Sequence, residues 1–149
     1  MTAMVERAAT MLGGDTYRRE VFAAHEFDRL VDAALVDGGG VAQRVVWAQA
    51  IPDPYPRGWV PETVLVVTVR ESWGALYYRG NDHRAWITEN PQPSPDAPVL
   101  IFDDQAPADF PADAVLPVDQ IRAAVEEYVH TGERPTCVRW REPDRYMTW

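Results

Sequence analysis

Three histidines, a single cysteine and two pairs of neighbouring carboxylates are the side chains with which this sequence could do chemistry. A zinc site needs several ligands at close spacing. His25, His83 and His130 fall on separate predicted elements, and one cysteine offers no Cys-x-x-Cys pair, so no metal ligand is expected. Cys137 with His130 could form a nucleophilic pair. A reactive thiol needs an electropositive, accessible setting, whereas Cys137 is expected in a short strand beside large side chains, where cysteine is buried and inert. Glu126 and Glu127 are adjacent on a predicted helix, point in different directions and read as a solvated face. Asp103 and Asp104 follow a predicted strand, and neighbours in an extended chain face opposite sides. Gly38-Gly39-Gly40 is followed by neither Lys-Ser nor a helix opening, so it is no phosphate cradle. No catalytic residue, cofactor site or metal is therefore expected.

The elements that would position a site are legible from periodicity. Phe27, Leu30, Val31, Ala34 and Leu35 recur at helical spacing and predict a helix over 26–36, stopped by Asp37 and the glycines. Ile121, Ala124, Val125 and Tyr128 form the stripe of a second helix, with Asp119 as its expected N-cap and Gly132 as its C-cap. Strands are predicted over 17–23, 43–50, 63–70, 75–79, 84–88, 99–102 and 137–141. The run 63–70 is almost wholly apolar, as in a central strand buried on both faces. Segments 51–61 and 90–98 each hold four prolines and read as loops, and 103–117 reads as an irregular acidic stretch. Residues 1–15 read as a loose lead-in, with Met4 and Met11 as alternative starts, and residues 16–149 as one domain. The expected fold class is α+β: two helices packed on one face of a mostly antiparallel sheet.

Charge narrows the partners. The net charge is -9, which argues against nucleic acid and anionic membranes, since both need a basic footprint. Seven acidic residues and no Arg or Lys lie between Glu89 and Asp119, while Arg134, Arg139, Arg141 and Arg145 make the C-terminal end basic. The absence of lysine follows most simply from GC-rich coding. No apolar run is long enough to span a bilayer, the first fifteen residues lack the pattern of a secretory signal, and one cysteine allows no internal disulfide. These features favour the cytoplasm; a monomer or weak dimer is expected. Of the six tryptophans, Trp47, Trp86 and Trp140 are expected in the core, while Trp59, Trp73 and Trp149 lie in loops or at the end. Loop aromatics are favoured at interfaces, so a partner surface is expected from Tyr55, Trp59 and Trp73 with Asp82, Glu89, Asp103, Asp104 and Asp109.

The C-terminal third carries the most specific pattern. Leu116-Pro117-Val118-Asp119, then Ile121, Ala123-Ala124-Val125 and Tyr128, lead into Thr131-Gly132-Glu133-Arg134-Pro135-Thr136-Cys137-Val138-Arg139-Trp140. This resembles the close of the first-numbered immunity-protein family of bacterial polymorphic toxin systems, which ends in a helix, a Thr-Gly-x-Arg-Pro turn and a strand with a Trp. The segment from Val64 to Trp86, with Gly74 and Tyr77, is similar to that family's middle, and the likeness spans about Phe27 to Trp140. It implies an α+β antitoxin that binds and blocks a cognate toxin domain, often a nucleic-acid deaminase. An acidic inhibitor suits such a toxin, which is expected to be basic. The chain lacks the His-x-Glu and Pro-Cys-x-x-Cys zinc signature of deaminases, so it is not itself the toxin. Two other readings compete: a small-molecule-binding or enzymatic domain with a pocket between helices and sheet, and a structural subunit of a larger assembly.

Overall fold

The structure is a computed structural model that describes residues 5–12, 18–37, 44–48, 56–58, 60–103 and 108–147. Its strands are β1 (Arg7–Leu12), β2 (Arg18–Ala23), β3 (Arg44–Ala48), β4 (Val64–Arg70), β5 (Trp73–Arg79), β6 (Ala85–Thr88), β7 (Ile101–Asp103), β8 (Ala108–Asp109), β9 (Leu116–Pro117) and β10 (Trp140–Arg141). The helices are α1 (Phe27–Ala34) and α2 (Val118–Thr131). Eight strands make one sheet in the order β10-β6-β5-β4-β3-β1-β2, with β9 also on β5, while β7 and β8 form a separate ribbon. Every described pairing is antiparallel. The fold is α+β, as the alternation of helical and strand periods predicts.

Period-two alternation divides the sheet's side chains between two cores. Leu65, Val67, Val69, Leu76 and Tyr78 face the helices and meet Phe27, Leu30 and Val31 of α1 and Ile121, Val125 and Tyr128 of α2. Val64, Val66, Ala75, Tyr77 and Ile87 face the other way and are covered by Leu100, Phe102, Phe110, Ala114, Val115 and Met147. This explains why β4 is apolar on consecutive residues: it is buried on both faces. The second cover is a departure from the sequence reading, in which 103–117 is irregular and acidic. Its described part belongs to a packed third layer, because Phe110, Ala114 and Val115 supply apolar anchors between the acidic residues and join Leu100 and Phe102 from just before it. Thr68 fixes the layer by donating from its hydroxyl to the Ile101 carbonyl at 2.8 Å.

Four further differences have physical causes. Arg7–Leu12, expected in a loose lead-in, pairs with both β2 and β3; its alternation is too short to stand out in the sequence. The N-cap of α2 is Pro117, and Asp119 lies within the first turn, so its carboxylate favours the helix by charge instead of by capping. The predicted strand over 137–141 is ordered as a strand only at Trp140–Arg141. Trp47, Trp86 and Trp140 are half-buried at the margins of the two cores, since rings of this size reach from a strand to the surface. Gly132 does cap α2, with a left-handed φ of 71° and its N–H bonded to the Tyr128 carbonyl.

Candidate functional site

The Thr131–Pro135 turn is built as a clasp. The Thr131 hydroxyl donates to the Glu127 carbonyl at 3.0 Å and accepts from the Glu133 N–H at 3.1 Å. The Glu127 carboxylate, expected in solvent, instead accepts from the Thr136 hydroxyl at 2.9 Å and from the Thr136 N–H. The Arg134 guanidinium lies 4.4 Å from the Trp86 ring centroid, and Arg84 lies 4.7 Å from it, a cation–π arrangement that ties the turn to β6. The Pro135 carbonyl accepts from Trp140 Nε1 at 2.7 Å. Behind the turn the Thr63 hydroxyl donates to the Gly132 carbonyl at 3.1 Å and lies 2.9 Å from the Tyr128 hydroxyl. A hydroxyl has one proton, so Tyr128 donates to Thr63, and Tyr128 in turn accepts from the Ala48 N–H at 3.3 Å. The motif residues thus lock helix, turn and sheet together.

The residues with nucleophilic or acid–base chemistry stay apart. Cys137 is exposed, contrary to the expectation that it is buried, because the chain leaves the sheet before β10. Desolvation, and after it the negative charge of Glu127, push its thiol pKa up, opposite to what an activated nucleophile requires. His130 packs edge-on against Phe27 of α1 at 5.5 Å. Glu126 pairs with Arg122 at 3.6 Å, away from the clasp made by Glu127. Among the described residues, no three of His, Cys, Asp and Glu gather as a metal set. The helix–sheet interface, where a pocket was the competing expectation, is filled by Leu30, Ile121, Ala124, Val125 and Tyr128, each 0% exposed.

A groove of about 540 Å³ opens instead at the end of the sheet, between the first turn of α2, the loop after β6 and the chain before β10. Its origin is a break along one edge of β5. Tyr77–Arg79 pair with β6, whereas Trp73 and Gly74 pair with β9. Thr88 bridges the gap, accepting from the Leu76 N–H at 3.1 Å and donating to the Ala114 carbonyl at 2.7 Å. Trp73 and Glu89 line the groove with Asn90, Gln92, Gln120 and Arg139. Asn90 sets one wall: its amide nitrogen donates to the Val115 carbonyl at 3.0 Å and its side-chain oxygen accepts from the Gln92 N–H at 2.9 Å. Gly74 lets α2 approach, since a Cβ there would sit 2.9 Å from Ile121 Cγ1.

The expected partner residues therefore separate. Trp73 and Glu89 come together in this groove. Asp82 stands in the turn at the other end of β5, where its carboxylate accepts from the Arg84 N–H at 2.9 Å. Asp109 is exposed on β8, and its carbonyl accepts from the Tyr146 hydroxyl at 2.8 Å. Asp103 closes β7, while Tyr55, Trp59 and Asp104 lie outside the described residues. Sequence reasoning missed Asn90, Gln92, Gln120 and Arg139. The Asn-Pro dipeptide at Asn90-Pro91 was the available signal, because asparagine before proline initiates turns.

A search among curated proteins gives no match to the chain. The family model described as Imm1, immunity protein Imm1, matches residues 15–142. That span contains both helices, strands β2 to β10, the clasp and every described residue of the groove. The chain belongs to the immunity protein Imm1 family.

Proposed function

We propose that this protein neutralises a cognate toxin domain by binding it, without catalytic turnover, and that the toxin is a basic nucleic-acid deaminase. Membership of an immunity-protein family over residues 15–142 carries the reading. The charge of -9 supports a basic partner, since complementary potentials steer encounter. The partner surface draws on the acidic and aromatic side chains of the loops, with Trp73 and Glu89 as its described nucleus. The clasp residues serve as scaffold, because their polar groups are already committed within the chain.

The test is co-expression with the toxin domain encoded beside this chain's gene. Growth should be restored, sequencing of cellular DNA and RNA should show deaminated bases only when this chain is absent, and the two proteins should co-purify. Raising salt should slow their association. A toxin domain that is neutralised yet deaminates no base would remove the deaminase assignment. Neutralisation without a complex would remove the binding mechanism.

A further inference from the structure

The geometry points to the groove at the sheet end as the seat of a basic toxin loop, with one arginine side chain stacked on Trp73 and bonded to Glu89. The inference rests on the reading of this chain as a toxin-binding immunity protein and gives that reading a site. The Glu89 main chain is fixed, its N–H donating to the Arg139 carbonyl at 2.9 Å, while the side chain of this half-buried residue has no hydrogen-bond or ion-pair partner among the described residues. The neighbouring acid Asp113 is already held by Arg141 through two bonds of 2.9 and 3.0 Å. Glu89 is thus the acid of the groove left to receive a cation. The half-buried Trp73 ring backs onto the apolar cover of the sheet and offers its remaining surface to the groove, with its indole N–H also lacking a partner among the described residues.

A carboxylate and an aromatic ring lining one groove are the combination that suits a guanidinium. The planar group stacks on the ring and bonds the carboxylate in a bidentate fashion, which an ammonium cannot do. The walls are set before binding by the Asn90 bonds and by the clasp holding Thr136, which lowers the ordering cost of association. Among the described residues lining the groove, Glu89 is the one acid and Arg139 the one base. Arg139 also lines the groove, but its side chain is exposed. The rim residues Gln92 and Thr136 are exposed too, as a site for a protein loop requires.

The experiment measures binding of the catalytically inactivated toxin domain encoded beside this gene to wild-type chain, Glu89→Gln, Trp73→Phe, Arg139→Gln and the control Asp28→Asn, an exposed position on α1 outside the groove. Thermal melting accompanies each variant. Loss of a buried charge-assisted pair predicts that Glu89→Gln raises Kd by at least about 30-fold, with its Tm unchanged. Trp73→Phe, which retains a ring, should bind more weakly than wild type, and Asp28→Asn should bind as wild type. Glu89→Gln binding as tightly as wild type overturns the groove while leaving the immunity reading intact. So does a pattern in which Arg139→Gln weakens binding and Glu89→Gln strengthens it, which would mark the groove as a seat for an anionic group. Failure of the wild-type chain to bind the toxin domain overturns the immunity reading itself.

Discussion

Replacing Gly132 with alanine should be among the most damaging single-methyl changes in this protein. Gly132 has a φ of 71°, and a Cβ built there would meet the Ala48 carbonyl oxygen at 2.5 Å and Val5 Cγ2 at 3.3 Å. The left-handed conformation alone costs an alanine about 1–2 kcal/mol. The contact sets the Cβ, which has no rotatable bond of its own, against the backbone carbonyl oxygen of Ala48, so neither atom can rotate away. Relief requires the turn to lift from β3, which draws the Gly132 carbonyl from the Thr63 hydroxyl and disturbs the chain from Ala48 through Tyr128 to Thr63. A lost hydrogen bond adds about 1 kcal/mol, and an unsatisfied buried donor or acceptor about 1–3 kcal/mol. The sum is about 3–6 kcal/mol, a large share of the roughly 5–15 kcal/mol typical of a domain. It should appear as a Tm lowered by about 10–15 °C and as a reduced urea midpoint at unchanged slope. Gly132→Asn separates the two causes. Asparagine tolerates positive φ but keeps the Cβ, so it should be nearly as destabilising. A fully stable Asn variant would show that the close approach to β3 is not what selects glycine, and a stable Ala variant would refute both parts of the reasoning.

Three further outcomes are expected. Val125→Asp should lose more than about 3 kcal/mol, because Val125 is 0% exposed against the sheet and an unpaired buried charge is costly; an unchanged urea midpoint would mean that α2 packs by another face. Burial, as the largest cause, pushes the Tyr128 pKa well above its ordinary value of 10.0. A raised folded pKa gives stability that is full below pH 10 and is lost as pH climbs toward the folded value, so Tyr128→Phe should flatten the alkaline decline of stability, measured by urea melts at pH 8 to 11. Desolvation and Glu127 raise the Cys137 pKa, leaving less thiolate at neutral pH. The exposed thiol should therefore alkylate with iodoacetamide more slowly than free cysteine and speed up only at higher pH, and rates matching free cysteine at pH 7.5 would contradict that environment.

The sequence by itself determined the elements that carry their own period and the family to which the chain belongs. The stripes of α1 and α2, the doubly buried β4 and the left-handed cap at Gly132 are all local signals, because burial on one face imposes a spacing and a left-handed φ selects glycine. The family pattern was legible for the same reason: its Thr, Gly, Arg, Pro and Trp each make a fixed local bond or contact in the clasp. Tertiary structure alone decided the rest. The third layer of Leu100, Phe102, Phe110 and Val115 has no period, since its anchors are scattered through a proline-rich and acidic stretch and gain their partners only from strands distant in sequence. Cys137 passed from expected core to surface because only the path of the chain after Pro135 sets its exposure. The eight expected partner residues were grouped by composition, and composition carries no direction. It is the antiparallel return of β6 along β5 that sends Asp82 to one end of the sheet and brings Glu89 to the groove that Trp73 lines at the other.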